Sequence, residues 1–257
     1  MKMAKIGIVG FSGLGQHIAA EAVAAGLEVA VWDEDQGALA PWQAAVSQIK
    51  KAAGLAGLVD CGLVLETLPD QLEAKKGFLA QASQALKQVP LLATTTAGHC
   101  VSEIAATAAD PARVVGLHFL PPPQGNRLIE VVRGVDTAPA ALNRAAEFCR
   151  GLGKEPVVVK DSPGFIVNYL FAPYLNQALE AFDQGLASKE DLDTALRLGL
   201  GYPQGPLELV NQLGLEEHLQ LTQALHRRLG DQRFAPPAIL QRMVGAGKLG
   251  AKRGGGF

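Results

Sequence analysis

Short apolar runs without alternation punctuate the chain up to residue 160: Ile6 to Val9, Val29 to Trp32, Leu63 to Leu65 and Leu91 to Ala93. Runs of that length, apolar at every position, predict strands buried on both faces, as in a parallel sheet. Between them lie longer Ala- and Leu-rich stretches, Leu14 to Ala25, Gln36 to Ala53, Leu72 to Lys87 and Val101 to Ala108, which predict helices. Strand and helix alternating at this spacing predict right-handed crossovers and a doubly wound, mostly parallel α/β domain. Two further strands, Val114 to Phe119 and Leu128 to Val132, are joined by Pro121, Pro122, Pro123, Gln124, Gly125 and Asn126. That connection is too short for a crossover helix, so the pair is expected to be antiparallel. A helix from Ala138 to Leu152 and a strand from Pro156 to Val159 complete the domain.

From Pro163 onward the pattern is helical, broken at Gly185 to Ser188, Gly199 to Pro206, Gly214 and Gly230 to Pro237. Pro163 suits a first helical position, where its missing N–H would be unsatisfied anyway. The stretch Lys160, Asp161, Ser162 is therefore the expected hinge between an α/β domain, residues 1–161, and an all-α domain, residues 162–257.

A length of 257 residues agrees with two unequal domains, and 48% hydrophobic with 19% charged residues suits a globular enzyme with a large core. A net charge of -2 offers no footprint for nucleic acid or anionic lipid. No apolar run approaches the roughly 20 residues of a membrane span. The chain enters strand-like sequence almost at once, which leaves no room for a signal peptide and makes the cytoplasm the expected location. Cys61, Cys100 and Cys149 are scattered and odd in number, so reduced, mostly buried thiols are expected.

The run Val9-Gly10-Phe11-Ser12-Gly13-Leu14-Gly15 follows the first strand and opens the first helix. In a dinucleotide fingerprint the first glycine makes the tight turn, the second admits the pyrophosphate and the third lets helix and strand pack closely. The phosphate then rests on the helix N-terminus. Ser12 stands where the second glycine would be. Asp33 closes the second strand, 18 positions after Gly15, where an acid would bind the adenosine ribose hydroxyls. Glu34 and Asp35 add negative charge and no Arg is near, which favours NAD over NADP. The same residues could instead form a plain strand-to-helix joint followed by a solvated acidic turn. The order strand, glycine loop, acid weighs for a Rossmann domain holding NAD. No metal is expected.

His118 closes one strand of the antiparallel pair and Glu130 lies early in the next. A hairpin symmetric about Gln124 would set them opposite one another. A His whose second nitrogen is held by a carboxylate is a good general base, since the carboxylate fixes the tautomer and stabilises the imidazolium. A structural His, with Glu130 in solvent, is the competing reading.

The strings RVVGLHFLPP, LIEVVRG, KDSPGFIVN and GYPQGPLEL resemble, in order and spacing, the L-3-hydroxyacyl-CoA dehydrogenase family, along nearly the whole chain from Ile6 to Phe257. The resemblance implies NAD-dependent interconversion of a 3-hydroxyacyl-CoA thioester and its 3-oxo form, a place in fatty acid metabolism, and a homodimer formed through the helical domain. It implies His118 as catalytic base, Glu130 as its partner, and Asn168 as an asparagine that holds substrate near the nicotinamide. Glu66 matches the family's acid after its fourth strand, and with Thr95 it is expected on the cofactor side. Lys75, in the following helix, lies near the cofactor by the resemblance, but a solvated helix-face charge is the reading preferred for it. Several positions depart from the family. Ala97 stands where a serine bonds the substrate oxygen, Pro121-Pro122 where an asparagine-proline follows the His strand, and Tyr169 where an arginine follows the asparagine. The segment between Asp33 and Glu66 is shorter than in typical members, which insert a CoA-contacting helical excursion there. A dehydrogenase of a small 3-hydroxy acid without CoA, or a weakened NAD-binding relative, therefore stays open beside the CoA reading.

Overall fold

In the computed structural model, which describes residues 3–11, 13–34, 48–121, 125–253 and 255–257, the chain divides into two compact units, Met1–Phe165 and Ile166–Phe257. The first runs β1 (Lys5–Val9), α1 (Leu14–Ala24), β2 (Glu28–Trp32), β3 (Ile49–Lys51), β4 (Leu63–Glu66), α2 (Leu72–Ala85), β5 (Leu92–Thr94), α3 (Val101–Ala105), β6 (Val114–Phe119), β7 (Leu128–Arg133), α4 (Pro139–Gly151) and β8 (Glu155–Lys160). The strands form one eight-stranded sheet in the order β3-β2-β1-β4-β5-β6-β7-β8. Neighbours are parallel from β3 to β6; β7 runs antiparallel to β6, and β8 parallel to β7. This is the doubly wound, mostly parallel α/β sheet expected from the sequence. One strand is new. Ile49–Lys51 pairs with β2, at the end of a stretch that reads as helix by composition. With one apolar residue followed by two lysines, it carries no period that could separate strand from helix.

The unalternating strands are buried on both faces for the expected reason. On one face Ile6, Ile8, Leu63, Leu65, Val115 and Leu117 pack with Ile18, Ala22, Ala145 and Phe148 of α1 and α4. On the other, Val9, Val64, Leu92 and Val114 pack with Phe78, Leu79 and Ala82 of α2 and Ile104 of α3. Cys61 and Cys149 are buried free thiols, and burial pushes them up to about 11 and about 12.

Beyond β8 the chain does not enter a helix at Pro163, as the sequence suggested. Residues 163–166 form turns in which Gly164 (φ 79°) and Phe165 (φ 54°) are both left-handed, and the next helix starts four residues later. The second unit comprises α5 (Val167–Asp183), α6 (Lys189–Leu200), α7 (Pro206–Leu213), α8 (Leu215–Leu229) and α9 (Ala238–Gly245). Its core is Leu175, Leu179, Leu207, Val210, Leu215 and Leu240. Within the GYPQGPLEL string, the buried Asp193 carboxylate accepts the N–H groups of Leu207 (2.8 Å) and Glu208 (3.1 Å), two of the donors a helix start leaves unpaired.

A polar network lies inside this helical unit. Asn176 Oδ1 accepts from His218 Nε2 across 3.0 Å, and its amide donates to Thr222 Oγ1 at 2.8 Å; the Thr222 hydroxyl donates to the Phe234 carbonyl at 2.7 Å. Burial pushes the His218 imidazole down from 6.5 to about 4. The unfolded chain thus takes up a proton below 6.5 that the folded unit refuses until about 4. Stability is full above that window and falls across it as pH drops, by roughly 3 kcal/mol in all. Urea unfolding at pH 7, 5.5 and 4.5 should show that slope, and His218→Gln should flatten it; an equal slope in the variant would discount His218.

Candidate active site

β1 ends at Val9, and the chain turns at Gly10, whose φ of 85° suits glycine. α1 begins at Leu14, after Gly13, and Gly15 packs so closely that a Cβ there would lie 2.4 Å from the Gly10 carbonyl oxygen and 2.5 Å from Thr67 Oγ1. The Thr67 hydroxyl donates to that carbonyl, which ties the turn to the end of β4. Gly10 and Gly15 therefore occupy the positions a dinucleotide fingerprint requires; Ser12 lies outside the described residues. Asp33 follows β2, and its carboxylate accepts the Phe11 N–H, which draws the acid against the glycine loop.

Beside this loop an open cleft of about 560 Å³ is lined by Gly10, Trp32, Asp33, Glu34, Thr67 and Leu68, among others. It sits at the carboxyl ends of β1, β2 and β4, where the sheet's winding reverses and ligands of such sheets bind. None of the described lining residues is Lys or Arg. The cleft suits a dinucleotide, and among the described residues its lining holds no cation for a 2′-phosphate.

Glu66 and Lys75 correct the sequence reading. Lys75 is not a solvated charge but fully buried, as is Glu66. The Lys75 ammonium donates to Glu66 Oε1 (2.9 Å), Glu66 Oε2 (3.1 Å) and the Thr95 carbonyl (2.6 Å). Glu66 also accepts from the Thr94 hydroxyl and, at 2.9 Å, from the Leu68 N–H. Burial holds the Glu66 carboxyl above its ordinary range, against the opposing pull of Lys75 and these donors. The Thr95 hydroxyl donates to the Glu66 carbonyl at 3.0 Å. The two expected cofactor-side residues are thus joined through a lysine that ties the ends of β4 and β5. A signal for it was available: Lys75, Phe78, Leu79 and Ala82 share one helical stripe, and all are buried.

The antiparallel β6–β7 pair sets His118 directly opposite Glu130, as symmetry about Gln124 requires. His118 Nδ1 and Glu130 Oε2 are 2.7 Å apart, and both residues are buried. An Nδ1–H donated to a carboxylate leaves the Nε2 lone pair as the basic site. Asn168 is the second residue of α5, in the other unit. Ala97 has no side-chain polar group, and its N–H donates to Asp70 at 3.1 Å. Of two neighbours, Thr96 is one of the two threonines the sequence offers in place of the missing serine, and Phe165 was not singled out. Thr96 is buried and its hydroxyl oxygen accepts from the N–H groups of His99 (2.9 Å) and Gly98 (3.3 Å). Phe165 lies against the His118 ring, with centroids 5.2 Å apart.

Known proteins are similar to this chain along nearly its whole length. The family model described as the 3-hydroxyacyl-CoA dehydrogenase NAD binding domain matches residues 40–162, and that of the family's C-terminal domain matches residues 164–257. A probable 3-hydroxybutyryl-CoA dehydrogenase of Deinococcus radiodurans is 32% identical over 275 positions, covering 98% of this chain and 99% of the relative. A 3-hydroxybutyryl-CoA dehydrogenase of Bradyrhizobium diazoefficiens is 33% identical, covering 98% of this chain and 94% of its own. Among solved structures, the (S)-3-hydroxybutyryl-CoA dehydrogenase of Ralstonia eutropha superposes with a TM-score of 0.93 at 29% identity, over 99% of this chain and 98% of that one.

The Lys75–Glu66 pair makes a sharp prediction. Lys75→Met should cost about 3–5 kcal/mol, because it strands a buried carboxylate. Glu66→Leu added to it should recover part of the loss. Chemical denaturation of the three forms checks this, and a single-variant loss below 1 kcal/mol would contradict the buried pair.

Proposed function

Because the chain belongs to the 3-hydroxyacyl-CoA dehydrogenase family, NAD-dependent oxidoreductases that interconvert a 3-hydroxyacyl-CoA and its 3-oxoacyl-CoA, we propose that His118 is its general base. The observation that carries the proposal is the buried 2.7 Å contact between His118 Nδ1 and Glu130, which holds the ring with Nε2 as acceptor. Bound NAD would supply the hydride acceptor at carbon 3. His118 Nε2 takes the hydroxyl proton as the hydride leaves, and Glu130 stabilises the imidazolium that results. In the reverse direction the imidazolium returns that proton to the oxygen.

The remaining roles follow in the same terms. Gly10, Ser12, Gly13, Leu14 and Gly15 hold the pyrophosphate, and Asp33 the adenosine ribose. Glu66 and Thr95 serve the cofactor side by fixing the strand ends under it. Asn168 holds the substrate. Residues 1–161 form the NAD-binding domain and residues 162–257 the substrate and dimerisation domain. The exposed Leu170, Leu186, Leu198 and Leu200 of the helical unit support a homodimer. Three free thiols support a reducing, cytoplasmic setting. The names of the relatives support a short acyl-CoA. The brief stretch between Asp33 and Glu66 favours, as a second reading, a 3-hydroxy acid without CoA.

Ala97 cannot donate to the substrate oxygen, and the Thr94 and Thr95 hydroxyls are spent on Glu66. Thr96 is the hydroxyl that remains. Among the described residues it only accepts, so its proton is uncommitted. β5 pairs with β6 as far as Thr94↔Gly116, and Thr96 and His118 each lie two residues beyond that pair. We therefore assign Thr96 the donor role.

His118→Gln should leave NAD binding intact and lower kcat on acetoacetyl-CoA by about 10²–10⁴, with a smaller loss for Glu130→Gln. Turnover within twofold of the parent would defeat the base assignment. Activity on free 3-hydroxy acids alone would remove CoA from the substrate.

Thr96→Val should lower kcat/KM about tenfold, equivalent to about 1.4 kcal/mol, and Ala97→Ser in that background should restore it. A Thr96→Val enzyme as fast as the parent would discard the assignment.

A further inference from the structure

Phe165 has the only positive φ among the described residues other than glycine, at 54°. A bulky aromatic residue in the left-handed region is an outlier that persists only where its surroundings impose it. Here they do. Five residues after β8 ends at Lys160, the turn is closed by the Phe165 N–H, which donates to the Ser162 carbonyl at 2.9 Å. The segment is pinned upstream by Asp161. Its carboxylate accepts from the Cys100 thiol (2.9 Å), the N–H groups of Val101 (3.0 Å) and Ser102 (2.7 Å), and the Ser102 hydroxyl (2.6 Å). Burial alone would raise the Asp161 carboxyl, yet these donors hold it below the usual carboxylate range, so the clamp is made by the ionised form.

The pinned turn delivers a ring to one place. Phe165 is buried among Val101, Val132 and Val159, and its ring meets the His118 imidazole at a centroid distance of 5.2 Å and an interplanar angle of 53°. We propose that Phe165 is a positioning residue for His118, and that the Asp161 clamp and the left-handed turn exist to seat it. The ring closes one side of the imidazole and leaves it the orientation in which Nδ1 reaches Glu130. It also keeps water from that side. Of the titratable groups on the surrounding elements, Glu130 of β7 bonds to His118, while Asp161 and Cys100 are bonded to each other. Glu130 and the Phe165 ring thus meet the imidazole from β7 and from the turn after β8.

This inference rests on His118 being the base, and the experiment separates the two. Phe165→Leu keeps bulk without a flat face, Phe165→Asn tolerates the left-handed backbone without a ring, and Phe165→Tyr keeps the ring. Steady-state kinetics, NADH affinity and circular dichroism would be compared with His118→Gln. Phe165→Leu and Phe165→Asn should each lower kcat about tenfold with KM and NADH affinity within about twofold. Phe165→Tyr should restore kcat. Should Phe165→Leu fail to fold, Phe165→Asn carries the test. Parent kcat in either folded variant overturns the positioning role while leaving the base assignment standing. Loss of effect in His118→Gln as well would mean that the base assignment itself has failed.

Discussion

The molecule depends on the burial of its central strands from both sides. Because β1, β4, β5 and β6 are covered by α1 and α4 on one face and by α2 and α3 on the other, no register slip is free. A one-residue shift would exchange the two faces and drive mismatched side chains into both layers. The site takes its precision from that constraint. Register places the Gly10 turn beside Thr67, the Glu66 carboxylate beside Thr94, and His118 opposite Glu130. Three separate pieces of chemistry are thus fixed by one packing problem, solved in the middle of the sheet.

Ionic groups are then added where packing has left them no freedom. The Lys75–Glu66 pair is fully buried, and its attraction must offset the desolvation of two charges. What it contributes is direction: one ammonium gathers a carboxylate from β4 and a carbonyl from the chain just past β5, and so fixes two strand ends at the edge of the cleft. The His118–Glu130 pair differs in kind. Its carboxylate holds the ring by one nitrogen, Nδ1.

The parts legible in the sequence were those written in periods and short fixed spacings. The core strands, the glycine loop with Asp33, the antiparallel pair and the helical second unit all follow from patterns within a few residues of each other. The hairpin arithmetic placed His118 against Glu130 because a symmetric turn leaves little alternative. Ile49–Lys51 escaped because an edge strand of three residues has no period. Lys75 escaped because lysine reads as solvent-facing even on an apolar stripe, and only the fold shows the carboxylate waiting for it. The left-handed turn at Phe165 escaped because Pro163 signals a helix start equally well, and nothing local announces that Asp161 will be held by residues 60 positions earlier.

An open sheet of eight strands has two borders, and each could recruit a strand from a neighbouring molecule. One border is β3, only three residues long, and two of them are the exposed Lys50 and Lys51. The other is β8, where Val157 and Val158 are exposed. There Pro156 lacks an amide hydrogen to offer an incoming strand, and Glu155 and Lys160 bracket the apolar stretch with charge. The same short, charged and proline-interrupted sequences that hide these borders from pattern reading keep the sheet from growing into fibres.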